Sequence, residues 1–363
     1  MALSKITNAS VTDSTLTTTK LATPNLGRRN LIINGAMQVA QRGTSVTSIS
    51  TEGYKTVDRF KWTMDSTSAV FTHSQSTDAP TGEGFANSLK VDVTTADTSL
   101  ASGNQTRLEQ RIEGQDVQQL AKGTSNAKKV TLSFWVKAYQ TGTYVVNIQD
   151  VDNSRLIAKT YTVNSSATWE YKTITFDGDT TGTLDNDNGL SLNLVWYLGA
   201  GSDYTSGTLA TSWESLTNAN RAAGQTVDIA TSTSNYWQIT GVQLEVGEQA
   251  TPFEHRSFGE ELALCQRYYE KSFPYATAPA SNLGDARVTI GTEGQVHFKV
   301  RKRANATMTS YGALGTGSNW HYFTGSWNSA SPGMSGNEVL SSYYLGTTSF
   351  VAVSGQWAAD AEL

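Results

Sequence analysis

A single cysteine, Cys265, stands among 363 residues, so the chain can form neither an intrachain disulfide nor a cysteine cluster for zinc. Stability has to come from packing or from other chains. Charge is sparse too: charged residues make up 16% and hydrophobic ones 38%, and Ser, Thr, Asn, Gln and Gly fill the remainder. That profile suits β-strands and polar loops. Lys plus Arg at 27 against Asp plus Glu at 32 leaves a net charge of −5, a mild acidity that argues against a grip on a nucleic-acid backbone. No uncharged apolar run reaches membrane-spanning length, and the opening MALSKITNASVTDSTLTTTK lacks the apolar stretch of a secretory signal. Neither nucleic acid nor membrane insertion is expected, and the chain reads as one made soluble in a cytoplasm.

Catalytic signatures are missing as well. His73, His255, His297 and His321 have no metal-ligand spacing, and no G-x-S-x-G, phosphate-binding loop or dinucleotide fingerprint occurs. Asp150 with Asp152, and Asp185 with Asp187, flank turns and read as turn-capping carboxylates in solvent rather than a catalytic or calcium-binding pair. The sequence calls for no cofactor and no enzyme, and leaves metal binding open.

What is present is β-texture in a chain long enough for two or three domains. Residues 1–27 are rich in Ser and Thr, with isolated apolar positions about five apart that match neither a helix face nor a strand. This arm is either a disordered tail or an anchor that orders when three copies wind together or dock on a partner. At Arg28 the texture changes: Leu31, Ile32 and Ile33 run into Asn34-Gly35, a hairpin or tight-turn signal. Strand signals follow at 88–95, 129–138, 143–150, 155–163, 169–176, 190–199 and 236–246. In the second of these Val130, Leu132, Phe134 and Val136 alternate with Thr131, Ser133 and Trp135, as expected for one buried and one wet face. Loop helices are expected at 115–121 and 213–221. The pattern predicts an all-β fold, a jelly-roll β-sandwich over residues 28–256.

One convincing helix follows at 257–271, with Ser257 as N-cap and Glu260 as its capping-box partner. Phe258, Leu262, Cys265 and Tyr269 share a stripe and are the candidate oligomer interface. Beyond a linker-like FPYATAPAS, residues 273–363 read as a small β-rich terminal domain, opening on a hairpin over 286–303 with a turn at Gly291 to Gly294 and a later strand at 342–353.

Aromatics carry the functional signal, with 9 Trp and 15 Tyr in a polar chain. A sugar ring offers an apolar C–H face and a rim of hydroxyls, so glycan sites pair aromatic platforms with polar partners. Residues 310–329 concentrate Tyr311, Trp320, His321, Tyr322, Phe323 and Trp327 among Gly, Ser, Thr and Asn. Of these, Tyr311, Trp320, His321, Tyr322 and Trp327 are the glycan-binding candidates, with filling of a small core as the alternative. The neighbouring RKRAN, 301–305, reads as a solvated strand end or as a complement to acidic polysaccharide.

Three blocks, RRNLIINGAMQVAQRGTS (28–45), GYKTVDRFKW (53–62) and NYWQITGVQLEVGEQATPFEHRSFGEELALCQRYYEKS (235–272), together with LSFWVKA (132–138), resemble tail-fibre and receptor-binding proteins of bacteriophages, particularly marine ones. The resemblance implies a virion protein assembled in the host cytoplasm, with a sandwich related in shape to carbohydrate-binding modules. It further implies a homotrimer whose C-terminal part contacts the host. In these blocks Asp58-Arg59 reads as a local ion pair and Val242, Leu244 and Val246 as a final core strand. The resulting expectation is a non-enzymatic tail-fibre adhesin. Its partners would be other tail or virion proteins, held through the arm, and a bacterial surface polysaccharide or lipopolysaccharide. A structural virion protein without receptor binding, such as a head fibre or baseplate component, and a glycan depolymerase are the alternatives.

Overall fold

The computed structural model of the chain describes residues 28–275, 277–280, 287–288, 293–312, 317–323, 327–344 and 352–363, so the expected arm at 1–27 lies outside the described residues. Thirteen strands build the first unit: β1 (Ser45–Ile49), β2 (Gly53–Tyr54), β3 (Phe60–Asp65), β4 (Val70–Ser76), β5 (Ser88–Thr95), β6 (Gln105–Glu113), β7 (Val130–Ala138), β8 (Gly142–Asp150), β9 (Arg155–Val163), β10 (Glu170–Phe176), β11 (Leu190–Ala200), β12 (Glu214–Ser215) and β13 (Tyr236–Val246). They form a six-stranded sheet, β1-β4-β5-β13-β7-β10, and a seven-stranded one, β12-β9-β8-β11-β6-β3-β2. The described pairings in both are antiparallel. Because the chain crosses repeatedly from one sheet to the other, the two faces wind together as a jelly-roll sandwich.

Alternation drives that arrangement. Val130, Leu132, Phe134 and Val136 of β7 are buried, and so are Leu192, Leu194, Trp196 and Leu198 of β11. Burial of each such side chain is worth about 1.5–3 kcal/mol. Aromatic rings stitch the sheets: Phe134 meets Trp196 at 6.0 Å and Tyr161 at 5.2 Å, and Trp62 meets Phe71 at 4.9 Å, all edge to face. Val242 and Leu244 join this core, whereas Val246 at the strand end is exposed. Asn34, with φ 64°, makes a tight turn but no hairpin, since 31–33 are not strand.

Several local expectations are corrected by long-range partners. Arg59 does not pair with Asp58. Its guanidinium is buried against Glu362 and lies 3.4 Å from the centre of the Tyr268 ring. Asp58 instead accepts from Gln41, through the backbone N at 2.9 Å and Nε2 at 2.6 Å. Asp150 is fully buried, ion-paired to Lys122, whose ammonium also meets Asp179 at 3.0 Å and the carbonyls of Thr181 and Gly182. A turn carboxylate has become part of an oxygen cage around a lysine. Around 115–121 the backbone forms two short 3-10 turns, and 213–221 holds β12 and a third.

The helix spans Phe258–Gln266 with the expected capping box: Ser257 Oγ accepts from the Glu260 N–H, and Glu260 Oε2 accepts from the Ser257 N–H at 3.0 Å. It ends earlier than expected, because Tyr269–Lys271 turns into a strand paired with Gln356–Asp360. Cys265 and Tyr269 are therefore buried within the chain's own fold, Tyr269 under the Arg42 guanidinium at 3.7 Å. Leu262 is half-buried and Phe258 exposed, its ring edge-on to Tyr275 at 5.2 Å. Of the four candidate interface residues, Phe258 is thus at the surface, Leu262 half-buried, and Cys265 and Tyr269 inside the chain's own fold.

In the terminal unit the described residues form three small sheets around Val296, Trp320, Tyr343, Val353, Trp357 and Ala359. Among the described residues the predicted hairpin does not pair with itself: Arg287–Val288 pairs with Ala352–Ser354, and Glu293–His297 pairs with Leu340–Tyr344. The expected turn at 291–294 falls partly outside the described residues. Nor is the stretch after Lys271 a free linker. Phe273 is buried, and the Tyr275 hydroxyl donates to Gln38 O and accepts from Ala40 N of the sandwich. Arg303 donates to Asn188 O at 2.8 Å and to Glu362 O at 2.9 Å, and Arg267 grips Glu113 in two hydrogen bonds, at 2.8 and 2.6 Å. The two units are bolted together by charge.

Glu362→Gln leaves the Arg59 guanidinium buried without its carboxylate and should destabilise the fold by about 3–5 kcal/mol. Asp360→Asn, which removes a half-exposed partner of Arg42, should cost under about 1 kcal/mol, both read from urea unfolding. His73 is buried edge-on to Trp62 at 4.9 Å, and burial pulls its imidazole down to about 3. Its unfolded counterpart titrates near 6.5, so the neutral ring supports folding fully above that pH, and the support is lost as pH falls toward 3. His73→Phe should flatten the stability profile across that window, by on the order of 4 kcal/mol at its acid end.

Candidate functional site

On the six-stranded sheet the inner side chains of β7 are committed to the core, which leaves Thr131, Ser133, Trp135 and Lys137 on the outer face. Pairing on both sides fixes what surrounds Trp135: Tyr171 of β10 stands opposite it on one flank and Thr240 of β13 on the other. The Trp135 and Tyr171 rings lie 5.3 Å apart, inclined by 47°, and Tyr171 is 46% exposed.

Next to this pair β13 loses register between Thr240 and Gln243, and Gly241 takes φ +62°. A β-carbon there would meet the Phe85 ring at 2.7 Å, so the glycine lets Phe85 lie directly on the backbone. Phe85, Phe253 and His255 then form a ring cluster with centroid separations of 5.0, 5.4 and 4.8 Å. The strap carrying Phe253 and His255 is tied to the outer polar side chains of β13. Thr251 N–H donates to Glu245 Oε1 and Glu254 N–H to Gln243 Oε1, both at 2.8 Å.

Between the two aromatic walls lies an open recess of about 340 Å³, lined by Trp135, Tyr171, Phe85, Phe253, His255, Ser133 and Glu83, with Pro252 and Gly241 completing it. Its size is at the small end of ligand pockets. Aromatic faces dominate the walls, and a hydroxyl, an imidazole and one carboxylate supply polar contacts. Among the described residues no Lys or Arg lines it, and Glu83 is its one acid. The arrangement can stack an apolar ring face and hydrogen-bond a polar rim; it does not bring together two carboxyl groups for bond cleavage.

The residues singled out from the sequence lie elsewhere. Trp320 is fully buried in the terminal unit, its ring 5.1 Å from Tyr343 and its Nε1 donating to Gln356 O at 3.1 Å. His321 is buried, Tyr322 is half-buried against the same core, and Tyr311 packs edge-on to Phe273 at 5.3 Å. Trp327 lies in the strand Trp327–Ala330, and its side chain is outside the described residues. Trp320 and His321 cannot serve as an open shelf: a unit with few aliphatic residues has used its aromatics as core. The basic run at 301–303 is likewise turned to structural use. Lys302 is fully buried on Glu270 at 2.6 Å, Arg303 bridges the two units, and Arg301 is paired with Glu338. The signal for the recess was the lone aromatic among the wet-face residues of VTLSFWVKA; the contributions of Phe85, Phe253 and His255 come from loops whose meeting no local pattern encodes.

No protein-family model matches the chain, and no curated protein matches it. Among solved structures it is similar to a putative sugar-binding protein from Bacteroides thetaiotaomicron, at 14% identity and a TM-score of 0.34 over 60% of this chain and all of the other. A family 4 carbohydrate-binding module gives 13% identity and a TM-score of 0.31 over 60% of this chain and 99% of the module. The enzymatically active domain of tailspike protein 4 of bacteriophage CBA120 gives 12% identity and a TM-score of 0.31, over 60% of this chain and 21% of the tailspike. These are distant likenesses in chain trace; the sandwich stands on its own strand order and core.

Gly241→Ala should displace Phe85 and strain the backbone, lowering stability by about 1–2 kcal/mol and disturbing the recess. Thermal unfolding and near-ultraviolet circular dichroism would register both effects.

Proposed function

We propose that the chain is a non-enzymatic glycan-binding adhesin, carried on a phage tail fibre and directed at a bacterial surface polysaccharide or lipopolysaccharide. The observation that carries this reading is the solvent-open shelf of Trp135 and Tyr171 facing Phe85 and Phe253, with Ser133, Glu83 and His255 placed among the rings. Sugar rings use such surfaces through stacking and hydroxyl contacts. The virion setting is supported by the sequence resemblance of residues 28–272. Weak individual sites would gain strength from several copies acting together, as expected for a homotrimer and for several fibres on one particle.

A second reading, a structural virion component without receptor binding, draws on one observation: Trp320 serves as core in the unit expected to form the tip. The two readings differ in an accessible measurement. Purified protein applied to immobilised bacterial polysaccharides should be retained, and Trp135→Ala should weaken retention roughly tenfold, from the loss of about 1–1.5 kcal/mol of stacking, with an unchanged unfolding midpoint. No release of reducing ends should accompany binding. Retention by the wild type that Trp135→Ala leaves untouched would remove the recess from the function, and the absence of any retention would favour the structural component.

A further inference from the structure

The exposed aromatics of the sandwich are not confined to the recess. Tyr139, 48% exposed, directly follows β7 and donates its backbone N–H to Tyr236 O at 3.1 Å, and the two rings lie 6.2 Å apart. Trp135, Lys137 and Tyr139 alternate along one strand line, so Tyr139 belongs to the same outer face as Trp135. Four residues of extended chain put it about 13 Å away. That span exceeds a single sugar ring.

The ground between the two aromatic pairs is polar and ordered. Asp78, 42% exposed, accepts from Lys137 Nζ at 2.7 Å, Trp169 Nε1 at 3.1 Å and Gln238 Nε2 at 3.2 Å. Three donors, from β7, β13 and the residue before β10, thus hold one carboxylate in place beside Lys137, which stands between Trp135 and Tyr139 along the strand line. The result is an aromatic pair, a fixed acceptor and a second aromatic pair in sequence along the strand.

We propose that the glycan site runs along β7 from Trp135 and Tyr171, past Asp78, to Tyr139 and Tyr236. Its ligand is then a linear oligosaccharide spanning more than one sugar unit, not a terminal monosaccharide. This inference rests on the recess being a sugar site, and it assigns a second stacking position that the recess does not include.

The test uses the full chain and a partial acid hydrolysate of purified bacterial lipopolysaccharide and capsular polysaccharide, labelled at the reducing ends and fractionated from single sugars to long chains. Tyr139→Ala and Tyr171→Ala remove exposed rings, and thermal unfolding should show both variants folded. Tyr139→Ala should lose roughly tenfold affinity for long fractions while matching the wild type on short ones; Tyr171→Ala should lose both. Long-fraction binding that Tyr139→Ala leaves intact, or equal losses on short and long fractions, overturns the extended site and leaves the recess reading standing. Capture of no fraction by the wild type overturns the recess reading and the extension with it.

Discussion

A strand that buries every second side chain has no freedom over which residues it turns outward, and the surface chemistry of this protein depends on that constraint. The inner side chains of β7 sit in the aromatic interior against Trp196 and Tyr161, and its register is locked by β10 on one side and β13 on the other. Trp135 is outward because Phe134 and Val136 are inward. A one-residue slip would exchange a stacking platform for a core phenylalanine, so stability and recognition are held by the same alternation.

Charge does a different job. Three of the most deeply buried ion pairs lie where segments meet. Arg59, Glu362, Arg42 and Tyr268 join the sandwich to the terminal strand, Lys122 draws together the turns around Asp150 and Asp179, and Lys302 is buried on Glu270 behind the helix. Desolvation makes each arrangement costly, and cation and anion become acceptable only together. Such pairs specify which surfaces meet more than they add net stability, an apt role in a chain without disulfides. Glu109 shows the balance on a single group. Burial alone would push its carboxyl up, but Arg107 and Arg111 hold it down, to about 2.

The residues themselves announce the sandwich. Strands at 88–95, 155–163 and 236–246 coincide with the alternating runs, because each has one apolar face that the core demands. The helix cap is equally local and equally readable. Where partners are remote, local pattern fails: Arg59 looks paired to its neighbour and is bound to Glu362, and the strands around 287 and 296 find partners near 353 and 342 rather than each other. The candidate site divides the same way. Trp135 on a wet face was visible in the alternation, yet the richest aromatic segment, 310–329, drew attention to residues such as Trp320 that the terminal unit consumes as core. Composition reports how many rings a chain has, and only packing decides which of them water can reach.

The bond between Arg59 and Glu362 joins residues 303 positions apart. As the polypeptide leaves the ribosome, most of the sandwich is made long before its counter-ion exists, and the guanidinium must stay hydrated until the segment carrying Glu362 arrives. Closing so distant a contact is slow, since the intervening loop has to surrender its freedom first. Arrival of that segment therefore acts as a checkpoint on assembly: a nascent chain not yet extended through Glu362 would keep a wet, positively charged notch where the folded molecule is sealed.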